Sequence, residues 1–296
     1  MYSKLDNEFS LMQANPKDFA IHYTTYRENV FFRQSWERRV AIFSDDIPSY
    51  WILLSGKRIG GVCLESNLLW SFFLEPPFTD MYRVVGSLKK YMIELSDPTK
   101  PIEVMGVLSY QSEHFLRWGF QPIETRRIMI RPTENFEMIN WENDFIIETP
   151  TVDNLEEITQ LFYKGYLGAD SIGYPADNTI EQQRSDLEYY FKYNTEELLQ
   201  RSSCLVLDKH NNQLVGACLI SMWEDLPLIS NIVVDKGYRG RGIASNLLKY
   251  SLTTLTEKYE VVRLFVTVGN SAESLYYNFG FLPGMEQITF ILPSRE

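Results

Sequence analysis

Cysteine and histidine are scarce in this chain. Its 296 residues hold three of each: Cys63, Cys204 and Cys218, and His22, His114 and His210. They are scattered, with no zinc-type spacing, so no metal is expected. Dispersed cysteines in an odd number form no disulfide framework and point to a reducing compartment, the cytoplasm. Cys63 and Cys218 lie in apolar strand patterns and read as small buried hydrophobes. Positive charge is also in deficit. Lys+Arg is 28 against Asp+Glu 39, a net charge of −11. A phosphate-backbone partner needs a basic face, so no nucleic acid is expected. A field of this sign suits a cationic partner. No apolar run approaches the length of a membrane span, and the opening MYSKLDNEFS has no apolar signal core. No membrane association is expected.

What the chain does contain is apolar material. Hydrophobic residues are 45% and aromatics 14%, enough for two packed domains. The stretch that organises the rest is Asn231 to Asn246, NIVVDKGYRGRGIASN. Ile232, Val233 and Val234 read as a buried strand. Asp235 to Tyr238 read as a turn. Arg239-Gly240-Arg241-Gly242-Ile243-Ala244 follows, and Ile243, Leu247, Leu248, Leu252 and Leu255 then recur at helical spacing. Strand, glycine loop and helix make an anion seat, because glycines let successive N–H groups turn inward at a positive helix end. Arg239 and Arg241 add full charges.

The spacing decides which anion-binding loop this is. A dinucleotide fingerprint needs a third glycine where Ser245 stands, and a P-loop needs Gly-Lys-Ser/Thr, which is absent. The loop does match Arg-x-x-Gly-x-Ala at Arg239, Gly242 and Ala244. Downstream, strand RLFVTV (Arg263–Val268) leads to the caps Asn270 and Ser271. The helix Ala272-x-x-Leu275-Tyr276 follows, closed by Gly280-Phe281. The two motifs in this order resemble the GNAT superfamily of N-acetyltransferases over roughly residues 203–293. Asn270 stands two residues before Ala272, where three is commoner.

The resemblance implies acetyl-CoA as cosubstrate, with its pyrophosphate on Arg239, Gly240, Arg241, Gly242, Ile243, Ala244 and Ser245. It implies pantetheine along Ile232, Val233 and Val234, and an arm contact from Asn270. Tyr276 matches the tyrosine that meets the leaving thiolate. Glu224 and Asp225, just before the cofactor strand, stand where the family often keeps an acid and are the candidates for the proton acceptor. With no Ser/His/Asp or Cys/His set, direct transfer in a ternary complex is expected. The expected acceptor is a primary amine on a small cationic molecule. Asp170 and Asp177 in the 167–178 loop and the Glu224-Asp225 turn would draw it in. Alternatives are a protein N-terminus or lysine as acceptor, or a CoA-binding regulator or scaffold without turnover.

The chain also repeats itself. Arg58 to Leu64 (RIGGVCL) echoes Gln213 to Leu219 (QLVGACL), and Gly119-Phe120 echoes Gly280-Phe281, each followed twelve residues later by proline. The expected fold class is α/β: two GNAT-like modules, each a mixed, mostly antiparallel sheet flanked by helices. Residues 1–140 are a degenerate module without the loop, and residues 141–296 are the cofactor-binding one. Pro132 to Asn143 reads as the linker. In the first copy Pro76-Pro77 replace the glycine loop and Phe115 takes the slot of Tyr276, so this copy is read as a scaffold that has lost CoA binding. No opening strand is evident in it. The oligomeric state stays open, although an internal pseudo-dimer is compatible with a monomer.

Overall fold

A computed structural model of the chain describes residues 2–31, 34–43, 46–136, 139, 141, 144–168, 172 and 178–294. In chain order its elements begin β1 (Tyr2–Lys4), β2 (Phe9–Gln13), α1 (Pro16–Tyr26), α2 (Trp36–Ala41), β3 (Ser49–Leu54), β4 (Lys57–Glu65) and β5 (Leu68–Leu74). Then come α3 (Met81–Leu95), β6 (Ile102–Leu108), α4 (Ser112–Arg117), β7 (Gln121–Pro132), β8 (Phe145–Glu148), α5 (Leu155–Gly165), α6 (Ile180–Tyr193) and α7 (Glu197–Ser202). The chain ends with β9 (Cys204–Asp208), β10 (Gln213–Trp223), β11 (Leu226–Val234), α8 (Ile243–Leu255), β12 (Val261–Thr267), α9 (Ser271–Asn278), β13 (Leu282–Pro283) and β14 (Gln287–Leu292). Among the described residues, no helix is long and apolar enough to cross a membrane.

The repeat is legible element by element. Strand β2, helix α1, strands β3 to β5, α3, β6 and α4 recur as β8, α5, β9 to β11, α8, β12 and α9. Each copy is antiparallel except at one place, where β5 runs parallel to β6 and β11 parallel to β12. The first copy does open on strands. β1 and β2 pair ahead of β3, and at three and five residues they are too short to carry a clear period.

The compact units do not divide near residue 140. Unit 1 is Met1–Arg127 with Gly284–Glu296, and unit 2 is Ile128–Pro283. The backbone pairing explains the difference. β14, the end of the second copy, inserts in the first unit between β6 and the first half of β7. The second half of β7, the end of the first copy, lies beside β12 and pairs with β13 in the second unit. Each copy therefore contributes its last strand to the other's sheet. Described residues of the expected linker are packed as well: Thr133 N–H donates to Glu260 O at 2.9 Å, and Phe136 and Trp141 cover the second unit's core.

In the second unit, β10 is buried along most of its length because helices cover both faces. Alternation sorts its side chains. Cys218 and Ile220 join Val206, Ile229, Leu248 and Tyr276 on the α8–α9 face. Ala217 and Leu219 join Val233, Leu161, Phe162 and Leu187 on the α5–α6 face.

Candidate active site

The site starts with a strand that leaves its neighbour. β11 pairs with β12 only at Leu228↔Arg263 and Ile229↔Leu264. At the next residue β11 carries a bulge. Ile229 and Asn231 face consecutive residues of β10, Ser230 is the extra one, and its hydroxyl donates to Leu219 O at 3.0 Å. Beyond it, Asn231 to Val234 keep their pairing with β10, and among the described residues their other edge has no strand partner. Val233 is buried under the end of α5, where Gly165 permits the contact. A Cβ at Gly165 would lie 2.4 Å from Val233 Cγ1.

From Val234 the chain enters the loop. Asp235 Oδ1 accepts from Gly237 N–H at 2.8 Å and closes the turn. Gly240 and Gly242 adopt φ of +81° and +76°, which side chains resist, and nothing lies within 4 Å of where their Cβ atoms would be. Gly242 is the N-cap of α8 and supplies no side-chain cap. The first-turn donors of Ile243, Ala244 and Ser245 face outward with no intrahelical partner, in a positive end field. The arginines are placed otherwise than expected. Arg239 Nε donates to Val234 O at 3.2 Å and its Nη2 to Gly165 O at 3.4 Å, while Arg241 lies over the rings of Phe145 and Tyr238. The loop thus presents backbone donors at the head of α8, with the two arginine side chains engaged within the chain.

Tyr276 stands on α9 in the same face as α8, 7% exposed, its ring edge-on to Phe281 at 5.9 Å. Burial pushes its phenol well above the usual tyrosine range, and Tyr166 is its next electrostatic neighbour. It stays protonated and can donate at neutral pH.

The model of the Acetyltransferase (GNAT) family matches residues 158–281. Residues 158–281 form a GNAT acetyltransferase domain. Solved structures share the fold over nearly the whole chain. A GCN5-related N-acetyltransferase from Sphaerobacter thermophilus is 16% identical, with TM-score 0.71 and coverage of 99% of this chain and 98% of that one. A tandem GNAT protein from the clavulanic acid biosynthesis pathway is 10% identical, with TM-score 0.59 and coverage of 98% and 99%. A GNAT-family acetyltransferase from Colwellia psychrerythraea is 11% identical, with TM-score 0.56 and coverage of 95% and 98%. No curated protein matches this chain in sequence. The GNAT domain makes this chain an acyltransferase.

The remaining candidates fall differently around the GNAT domain. Asn270 caps α9. Its Oδ1 accepts from Ala272 N–H at 2.8 Å and its Nδ2 donates to Ile172 O at 2.6 Å, so both ends are engaged within the chain. Glu224 and Asp225 form the two-residue turn between β10 and β11, with Glu224 at φ +58°. Four residues, Leu226 to Ile229, separate them from the bulged Ser230, about 16 Å along the strand. Their charges act on fully buried Arg263, which stacks on Trp223 and donates to Trp223 O at 2.6 Å. They are the counter-charges of that arginine, and the structure does not bring them to Asn231 or the strand edge. Asp170 and Asp177 lie outside the described residues.

Two side chains to which sequence reading gave no role, those of Tyr166 and Asn231, meet at the strand gap. Tyr166, the C-cap of α5, donates its hydroxyl to Asn231 Oδ1 at 3.1 Å. No periodicity marks them; only the position of Tyr166 at the end of a helix is readable.

The first unit closes the corresponding gap from inside. β5 leaves β6 after Leu69↔Val104. Arg27, the C-cap of α1 and 6% exposed, donates to Phe72 O at 3.1 Å, to Gln111 Oε1 at 3.2 Å and to Gly106 O. At the head of α3, where the GNAT domain has bare Gly242, Asp80 caps with its carboxylate, accepting from Arg83 N–H at 3.3 Å. A negative charge already sits there. Phe115, at the slot of Tyr276, is buried against Phe72, Phe120 and Phe290.

Proposed function

We propose that the second unit transfers an acetyl group from acetyl-CoA to a primary amine on a small cationic molecule, directly and without an acyl-enzyme. One observation carries this reading: an uncapped, glycine-opened helix end sits at the exit of a strand whose edge is left unpaired, with a buried tyrosine hydroxyl on the same face. The donor brings an activated thioester carbon. Residues 240–245 offer backbone donors for its pyrophosphate, and Asn231 to Val234 offer a strand edge for its amides in the manner of β-augmentation. A backbone N–H near Val233 or Val234 would meet the oxyanion as its charge develops. The Tyr276 hydroxyl donates to the sulfur as it leaves. Its raised pKa makes full proton transfer uphill, so stabilisation by hydrogen bonding is its role. The amine proton leaves through water, since Glu224 and Asp225 are held at the far end of the hairpin.

Two measurements test this. Calorimetric titration with acetyl-CoA should give one site per chain, because Arg27 and Asp80 close the first copy. Thiol release with a panel of amines should report turnover. Binding without release for any amine would convert the reading into a CoA-binding regulator, and two sites per chain would remove the asymmetry.

A further inference from the structure

The two faces of the second unit carry different chemistry at the strand gap. Tyr276, with α8 and α9, belongs to one core; Tyr166, with α5 and α6, belongs to the other. Val233 lies on the α5 face, and Asn231, two residues earlier on the same strand, meets Tyr166 there. The loop that seats the donor leads into α8. The α5 face is therefore the side left for the acceptor.

On that side a carboxamide is held in one orientation. Tyr166 donates to Asn231 Oδ1 at 3.1 Å, which fixes the oxygen and so the amide plane. Among the described residues, Asn231 Nδ2 has no hydrogen-bond partner. Two N–H donors thus stand at the bulge, beside the strand edge where the acyl group would lie. The first copy supports the geometry independently. There too the residue that ends the helix reaches the gap, but Arg27 bridges Phe72 O and Gly106 O and closes it. A phenol at this position stops at Asn231 and leaves the gap open.

We infer that Tyr166 and Asn231 form an acceptor subsite, in which Asn231 Nδ2 donates to an uncharged oxygen on the carbon next to the amine-bearing carbon. The preferred acceptors are then 1,2-amino alcohols and α-amino carbonyl compounds over plain alkylamines. Asn231 touches the acceptor, and Tyr166 is a positioning residue that acts through it. This inference rests on the acetyl-transfer reading above.

The test compares ethanolamine with n-propylamine, which differ by a hydroxyl for a methyl. Wild type should favour ethanolamine in kcat/KM by about threefold to tenfold, the worth of one neutral hydrogen bond. Asn231→Ala should bring the ratio to about one. Tyr166→Phe should lower it part of the way and should add nothing in the Asn231→Ala background. The loss in both variants should fall more heavily on ethanolamine than on propylamine, a selective change that a merely structural role would not produce. Equal kcat/KM for the two amines in wild type, whether high or undetectable, overturns the inference, as does an equal loss on both amines in the variants. Failure of acetyl-CoA binding, or of thiol release with every amine, would instead overturn the transfer reading.

Discussion

A single oxygen atom separates Tyr276 from Phe115, its counterpart in the first copy. Both rings are buried on the helix that ends in Gly-Phe, so packing alone does not demand the hydroxyl. A phenol in a core costs free energy through desolvation that ring packing does not require, and this is what supports the proposed role at the sulfur. Tyr276→Phe should lower kcat by about ten- to a thousandfold with acetyl-CoA affinity nearly unchanged, since the interaction grows as the sulfur leaves. Steady-state kinetics with a binding titration checks both halves. The cysteines behave in the opposite way. Burial pushes the thiols of Cys63 and Cys218 up to about 12 and that of Cys204 well above its ordinary value. All three should resist a thiol reagent in the native protein and react in denaturant.

At the scale of elements, the decisive contrast is between the heads of α8 and α3. The first offers bare backbone donors and the second holds a carboxylate on them. Gly242→Val should abolish acetyl-CoA binding. It forces a β-branched residue to positive φ and places a side chain where the donor must approach. A titration on the folded variant, with helicity checked by circular dichroism, reads this out. The end of α5 is equally constrained. Gly165→Ala drives a methyl into Val233 and should destabilise by about 1–3 kcal/mol, the usual cost of overpacking, with loss of activity as β11 shifts.

For the whole molecule, the exchanged terminal strands make the copies interdependent. Removing Gly284–Glu296 deletes β14 from between β6 and β7, so the first unit should lose its cooperative transition although its own copy is intact. Residues 141–296 alone, lacking the second half of β7, should fail to form the native GNAT sheet; denaturant melts of the pieces test this. Alkaline pH should also destabilise the chain. Burial raises Tyr276 and Tyr190, the latter to about 12, along with the three thiols. Above about pH 9 the unfolded chain loses these protons first, the native state binds more, and stability falls as pH rises. The urea midpoint should therefore be lower at about pH 10 than at about pH 7.5. The net charge of −11 should make kcat/KM for cationic amines fall with ionic strength.

The sequence by itself determined the local elements and the glycine loop that opens α8. Glycines at 240 and 242, the apolar stripe from Ile243 to Leu255 and the Gly280-Phe281 stop act over a few residues, where spacing and backbone preference suffice. It also determined the repeat and the loss of the loop from the first copy. Tertiary structure alone decided what depends on contacts far apart in the chain. Strand exchange is a choice between two nearly equivalent partners, for which β7 and β14 carry the same pattern. Glu224 and Asp225 read as a site acid until buried Arg263, far along the chain on β12, claims their charge. Tyr166 reaches Asn231 from 65 residues away, and Arg27 reaches Phe72 and Gly106 from 45 and 79. Hydrogen bonds of that range leave no period in a sequence, because only packing of the helix end against the sheet brings the atoms together.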